Sequence, residues 1–176
     1  MPANTFTTKI VKIGGVRIII LPKSTSAKFP SRGIVMVEGT INNIHFQTAL
    51  EPDGKGSHWF KIDARLLKGA KAKPGDIVKV SIEPTSEWPE PQIPTDLKKA
   101  LDENPKARKT WASITPMARW DWIQWINSTK NPQTREIRIQ KTFSKFNSGI
   151  RRPCCFNRTM CTDPTVSNGG ILIRAD

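Results

Sequence analysis

The sequence predicts an α+β protein in which a small β-barrel or sandwich is followed by a helical module. The first 83 residues contain short runs of β-branched residues separated by close hairpin signals, a pattern typical of small all-β folds. Residues 84–94 contain four prolines, which predicts a stiff linker. Helix-start signals follow the linker. We therefore expect a barrel domain at 1–83, this linker, a helical module of three to four helices at 95–150, and an irregular tail at 151–176.

Six strands are expected in the first domain, and tight turns join most of them. Gly14-Gly15 divides the first pair of strands and Asn42-Asn43 divides the second, because these residues tolerate the positive φ of two-residue hairpins. The segment DARLLKGA predicts one short helix with Asp63 as its N-cap. Pro74-Gly75-Asp76 then turns the chain into the last strand. The expected strands are 5–13, 16–22, 34–41, 44–50, 58–62 and 77–83.

Four helices are expected in the module, and capping residues mark where each begins. Thr95 is expected to cap a helix that begins at Asp96. Each later start combines a capping side chain with a proline at the first helical position, where the missing N–H costs nothing. Gly149 is expected to end the last helix. The later starts are Asn104-Pro105, Thr115-Pro116 and Asn131-Pro132.

The chain is strongly basic, with a net charge of +13 over 176 residues and a pI of about 10.1. This balance suggests a polyanionic partner, which could be nucleic acid, an anionic membrane surface or an acidic protein. No apolar run is long enough to cross a bilayer, and residues 1–15 lack the apolar core of a signal peptide. We therefore expect a cytoplasmic protein with no transmembrane segment and with reduced cysteines.

The stretch EPDGKGSHWF, residues 51–60, raises the question of a phosphate-binding loop. A P-loop places its lysine directly after the second glycine and continues into a helix. Here Lys55 precedes Gly56, and the residues that follow alternate like a strand. The stretch therefore predicts a tight turn between two strands.

The two histidines are predicted to have different surroundings. His58 shares a strand face with Phe60 and Ile62, which favours a buried, hydrogen-bonded core residue over a ligand. His45 alternates with apolar neighbours and is expected to face outward. No acidic pair accompanies either residue, so we predict no catalytic site. A candidate pocket is instead assigned to His58, Trp59 and Arg65.

Most of the excess charge lies in residues 105–158, which hold twelve Lys or Arg and two acids, or 12 − 2 = +10. One interpretation is a face that contacts phosphates, because bound cations release condensed counterions. The other is a solvated face that keeps the protein soluble, and the pattern leaves both open. Trp120 is expected to pack against the barrel or a neighbouring helix. The candidate polyanion-binding residues are Arg135, Arg138, Lys141, Lys145, Arg151 and Arg152.

The tail segment RRPCCFNRTMC contains all three cysteines. Cys154 and Cys155 are adjacent and no Cys-x-x-Cys pair exists, which argues against zinc. Neighbouring arginines would lower the pKa of a thiol, so a reactive cysteine stays open. We favour apolar anchors that pin the tail, and we predict no metal and no cofactor.

Two sets of residues resemble known bacterial families. The run Pro52-Asp53-Gly54-Lys55-Gly56-Ser57-His58, then Arg65, then Gly75-Asp76 followed by IVKVSIE, resembles a small β-domain of unknown function. The helical half resembles the YdeI/OmpD-associated, or bacteriocin-protection, family. The matching residues there are Thr115-Pro116 with Arg119, Trp125-Ile126 with Lys130, and Pro132 with Thr134-Arg135, Arg138 and Ile139.

The resemblance implies a double-split β-barrel of the AbrB-like kind for the first half, and it implies no catalytic residues. Such barrels are often dimers, so a homodimer stays open. We expect a non-enzymatic bacterial binding protein linked to stress or bacteriocin tolerance. The alternatives are a nucleic-acid-binding protein that uses the basic C-terminal helix, and a thiol-dependent enzyme that uses Cys154, Cys155 or Cys161.

Overall fold

The computed structural model describes residues 3–153 and 163–173 of the chain. These residues form two compact units, one containing 3–87 and 165–173 and the other containing 88–153 and 163–164. Each unit has a buried hydrophobic core of its own.

The first unit is built on a seven-stranded antiparallel sheet that curls into a half-barrel. Its strands are β1 (Asn4–Lys9), β2 (Val11–Ile13), β3 (Val16–Ile20), β4 (Val35–Ile41), β5 (Ile44–Pro52), β6 (His58–Lys61) and β7 (Ile77–Pro84). They lie in the order β1-β7-β4-β5-β6-β3-β2. β5 pairs with β4 along the whole of β4, but with β6 only at Glu51 and Pro52. The sheet therefore opens between β5 and β6.

Two short helices complete this unit, α1 (Lys23–Ser26) and α2 (Ala64–Gly69). The Asp63 carboxylate accepts a hydrogen bond from the Leu66 N–H at 2.7 Å, which confirms it as the cap of α2. α1 is not predicted, because a single turn of KSTS carries no helical periodicity. The first expected strand is divided at Ile10, whose N–H donates to Asp76 O and whose carbonyl accepts from Gly75 N–H.

The sheet buries side chains on both faces near β3 and β6. Ile19 and Phe60 belong to the main core of the unit, whereas their neighbours Ile18 and Trp59 belong to a second cluster on the opposite face. Adjacent residues of a strand point to opposite faces, so β3 and β6 each contribute side chains to both clusters. The second cluster comprises Ile13, Ile18, Trp59, Val166 and Leu172.

A C-terminal hairpin covers this second cluster. Its strands are β8 (Ser167–Asn168) and β9 (Ile171–Leu172), joined by Gly169-Gly170 with φ of 58° and 82°. We expected residues 151–176 to be irregular. Two-residue strands are too short to show a period in the sequence, and they are held here by packing against Trp59.

The second unit consists of four helices, α3 (Thr95–Asp102), α4 (Pro105–Ser113), α5 (Pro116–Asn127) and α6 (Pro132–Asn147). The expected α+β class and the run of four C-terminal helices are confirmed. In the core of this unit, buried aromatic side chains make three ring contacts with Phe146. Trp122 packs edge-on against Phe146 with ring centroids 5.5 Å apart, and Trp111 and Phe143 pack beside Phe146.

Three of the four predicted helix caps are confirmed. Asn104, Thr115 and Asn131 each accept a hydrogen bond from the N–H three residues on, at 3.0, 3.2 and 3.0 Å. The prediction for Thr95 is wrong by one position, because Thr95 is the first residue of α3 and Pro94 precedes it without a side-chain cap. Gly149 follows the end of α6 with a φ of 79°, as expected for a helix stop.

Candidate functional site

The loop at residues 53–57 is a self-contained turn. One oxygen of the Asp53 carboxylate accepts hydrogen bonds from Lys55 N–H at 2.7 Å and Ser57 N–H at 2.8 Å. Gly54 and Gly56 adopt positive φ between these residues. Two N–H groups that a phosphate would need are therefore already bonded to the protein's own carboxylate. The prediction of a tight turn is confirmed.

His58 is a buried part of the core, with only 1% of its surface exposed. Its Nε2 lies 2.9 Å from Gly33 O, which assigns the ring proton to Nε2. Its Nδ1 lies 2.6 Å from Ser26 Oγ and accepts the hydroxyl proton. Burial lowers the pKa of His58, opposed by the hydrogen bond to Gly33. Both ring nitrogens are thus occupied by structural partners.

The candidate pocket residues lie in different surroundings. Trp59 is fully buried, and its Nε1–H donates to Pro52 O at 3.2 Å. Together with His58 it belongs to the interior of the unit. Arg65 is exposed on α2 and lines a surface cleft that neither of them lines.

That cleft lies where the sheet opens between β5 and β6. It has a volume of about 380 Å³ and runs between residues 44–48 of β5 and residues 61–66. Its polar walls contain His45, Gln47, Lys61, Asp63 and Arg65. His45 is exposed, as predicted.

A second cleft of about 480 Å³ shares His45, Phe46 and Gln47 with the first but is acidic. Glu38 and Glu83 lie directly opposite each other on β4 and β7, and both line it. One cleft of the first unit therefore presents carboxylates and the other presents cations.

Two arginines of the predicted polyanion-binding set act inside the second unit. Arg135 donates to Asp96 at 2.8 Å, and also to the Ile126 and Thr129 carbonyls at the end of α5. This hydrogen bond lowers the pKa of Asp96. Arg138 donates to Trp125 O at 2.5 Å, and its guanidinium lies 5.5 Å from the centre of the Trp125 ring.

Arg151 and Arg152 also have internal partners. Arg151 donates to Ser113 O at 2.5 Å, at the end of α4. Arg152 pairs with the buried Asp121 at 2.6 Å while its own side chain is 46% exposed. Four of the six predicted residues therefore stabilise the fold, although Arg151 and Arg152 keep an exposed surface.

The side chains of the remaining two residues of that set, Lys141 and Lys145, make no hydrogen bond or ion pair with any described residue. The same is true of three cations on α4, which the sequence reasoning counted within the basic region but did not single out. These are Lys106, Arg108 and Lys109, all exposed. The signal that could have identified them is the absence of any acid from residues 105–113.

Arg119, on α5, illustrates why a residue of the family motif need not be a binding residue. Its guanidinium donates to Trp111 O at 3.0 Å and to Ile114 O at 2.7 Å, and it pairs with Glu90. Trp120 likewise contacts the proline-rich segment, where its Nε1–H donates to Pro89 O at 2.7 Å and its ring packs against Trp88. Residues 88–90 are therefore bound to the helical unit.

Residues 3–153 and 163–173 contain neither a metal-binding cluster nor a membrane-spanning helix. These ranges contain no cluster of three His, Cys, Asp or Glu side chains able to hold a metal ion. None of the described helices is both long and apolar enough to span a bilayer. Cys154, Cys155 and Cys161 lie outside the described residues, so their role as apolar anchors stays a prediction.

The fold defines a two-module α+β protein. One module is a curled antiparallel sheet, and the other is a helical unit whose own helices are linked by arginine hydrogen bonds. Residues 90–149 match the family described as bacteriocin-protection, YdeI or OmpD-associated. Residues 6–82 match a domain of unknown function, DUF1905. The helical unit is thus similar to the YdeI or OmpD-associated family, and the first unit to the domain of unknown function that precedes it. None of the curated proteins matches the chain.

Proposed function

We propose that this chain is a non-enzymatic bacterial binding protein of the cytoplasm that contacts a polyanion through the basic surface of its helical unit. The family points only to an association with bacteriocin protection. The observation that carries the proposal is α4, which has three exposed cations and no acid. A surface that only kept the protein soluble would gain from mixed charge, because like charges three or four residues apart repel.

Two of the three basic residues of α4, Lys106 and Lys109, lie on one side of the helix. A helix advances 100° per residue, so Lys106, Lys109 and Ser113 lie within about 60° of one another. Arg151 donates to Ser113 and adds a cation on that side. We name Lys106, Lys109 and Arg151 the α4 basic stripe. A row of cations of this kind suits the regular spacing of backbone phosphates.

Nucleic acid is the polyanion that we propose, and salt dependence is the test. Nuclease-treated protein is titrated into labelled duplex DNA and single-stranded RNA at several salt concentrations. We expect binding that weakens steeply with salt. The K106Q/K109Q variant should reduce the slope of log K against log salt for duplex DNA by about 2, since each phosphate contact contributes about 0.9.

The K98Q/K99Q variant is the matched control, because it removes the same charge from α3 of the same unit. α3 also carries Asp96 and Asp102, so its surface has mixed charge. This control should leave the slope close to that of the unchanged protein. Equal effects of the two variants, or no binding even at low salt, would reject the proposal and leave an acidic protein partner as the alternative.

A further inference from the structure

We propose that the cationic cleft of the first unit is a binding site for a small organic anion, with a carboxylate or phosphate group attached to an apolar or aromatic body. This site is separate from the α4 basic stripe and does not depend on nucleic-acid binding. It arises because β5 leaves β6 after pairing only at Glu51–Trp59 and Pro52–His58.

The cleft is bounded at both ends by the fold. At one end β5 and β6 are hydrogen-bonded partners at residues 51–52 and 58–59. At the other end Ile44 lies against α2, where a Cβ placed on Gly69 would stand 3.3 Å from its side chain. Asn42 Nδ2 also donates to Ala70 O at 3.3 Å there. The opening is therefore built into the framework of the sheet and α2.

The charges that line the cleft favour an anion. By formal charge, Lys61 and Arg65 are two cations and Asp63 is one anion, which gives 2 − 1 = +1 for the Lys, Arg and Asp residues that line the cleft. One oxygen of Asp63 accepts the capping hydrogen bond of α2. The Arg65 side chain has no hydrogen bond or ion pair with a described residue, unlike the side chains of Arg119, Arg135 and Arg138. Its guanidinium is thus available for a two-pronged hydrogen bond to a carboxylate or phosphate.

The remaining lining residues indicate the body of the ligand. Phe46 and Leu66 are half-buried, pack against the core, and also line the cleft. The Phe46 ring stacks on Phe60 at 5.4 Å, which fixes its plane. His45 and Gln47 add hydrogen-bonding groups at the rim. A planar apolar group can therefore cover Phe46 and Leu66 while its anionic group reaches Arg65.

The test is a titration of the full ¹⁵N-labelled chain followed by amide chemical shifts. The probes are phenyl phosphate, benzoate and inorganic phosphate, with benzyl alcohol as the neutral control. We expect the two aromatic anions to shift the amides of residues 44–48 and 61–66, and benzyl alcohol to leave them nearly unchanged. Stronger binding of phenyl phosphate would assign a phosphate ligand, and stronger binding of benzoate a carboxylate ligand. Inorganic phosphate should bind more weakly than phenyl phosphate, because it lacks the body that Phe46 and Leu66 accept.

Arg65→Gln should weaken binding of phenyl phosphate by about tenfold or more, because a charge-assisted hydrogen-bond pair is lost. Lys68→Gln is the matched control, since Lys68 is exposed on the same helix and does not line the cleft. It should retain the affinity of the unchanged chain. The proposal is overturned if R65Q binds as tightly as K68Q, if benzyl alcohol causes equal shifts, or if the shifts fall outside the cleft.

Discussion

His58 shows how one buried side chain links three segments of the first unit. The segments are the strand that carries it, the α1 turn through Ser26, and the following loop through Gly33. The Phe29 ring lies edge-on to the imidazole at 6.3 Å. A charged imidazole would lose the acceptor that Ser26 uses and would be buried without a counterion hydrogen-bonded to it. The neutral form is therefore the one that the fold requires.

The free energy of unfolding should therefore depend on the protonation of His58. Burial lowers its pKa in the folded protein, whereas an unperturbed histidine titrates at 6.5. Above pH 6.5 both states are neutral and the full stability is present. As the pH falls below 6.5, the unfolded chain takes up a proton that the folded chain resists, so stability falls. Urea unfolding should show a loss of up to about 1.4 kcal/mol between pH 7.5 and 5.5.

The chain has two histidines, which supplies a matched pair of variants. His58→Gln should be less stable at both pH values but should lose most of this pH dependence. His45→Gln replaces the exposed histidine and should keep it. The assignment to His58 fails if H45Q abolishes the dependence and H58Q does not.

At the scale of the element, three of the four helices of the second unit begin at a side-chain cap, and an arginine caps the end of two of them. Asn104, Thr115 and Asn131 bond the free N–H groups at helix starts. At the helix ends, arginines from elsewhere in the unit donate to free carbonyls. Arg119 does so at the end of α4, and Arg135 at the end of α5. Many of the residues that resemble the family are thus capping residues.

Arg135→Lys should test whether the shape of the guanidinium matters beyond its charge. Lysine keeps the charge but cannot reach Asp96 and two carbonyls with one planar fork. We expect the free energy of unfolding to fall by about 1–3 kcal/mol, measured by urea denaturation. Arg108→Lys, made on the exposed surface of α4, should change it by less than about 0.5 kcal/mol. Similar small effects at both positions would contradict a capping role for Arg135.

At the scale of the whole molecule, the described C-terminal segment returns to the first unit rather than staying with the helices that precede it. There this segment contacts the turn at residues 53–57. Leu172 N–H donates to Asp53 O at 2.9 Å, and Gly54 lies so close that a Cβ there would stand 2.4 Å from Gly170 O. The turn that suggests a phosphate cradle in the sequence is therefore a docking site for the hairpin.

Gly54→Ala should detach this hairpin, and Gly56→Ala is its matched control. Both glycines have positive φ, so both substitutions carry a backbone cost of about 1 kcal/mol. Only G54A also meets the Gly170 backbone, because nothing lies within 4 Å of a Cβ at Gly56. We expect G54A to lose more stability and to speed hydrogen exchange at the Leu172 amide. Equal losses with Leu172 still protected would contradict the docking role.

Local signals predicted most elements because each depends on residues close in sequence. The Asn–Pro and Thr–Pro pairs fix helix starts through a cap and a preset φ, and Gly14-Gly15 and Asn42-Asn43 fix hairpins through positive φ. The predicted start of α3 is one residue too late, because the capping position falls on Pro94, which cannot cap with a side chain, and Thr95 is already helical. Boundaries of this kind depend on backbone angles that the residue type does not fix.

The sequence by itself determined that a β module precedes a helical module, that the helical half is basic, and that His58 is buried whereas His45 is exposed. Composition and the alternation of apolar residues suffice for each of these. Only the tertiary structure decided which cations are free. From their spacing, Arg135 and Arg138 are expected to form a charged face of α6. In the structure their guanidinium groups instead donate hydrogen bonds to carbonyls of α5. It also decided the cleft at Arg65, because β5 and β6 separate after pairing at only two positions, and the hairpin on Trp59, because residues 166–172 lie far from Trp59 in sequence. The spacing of residues within one segment does not show which distant residues that segment contacts in the fold.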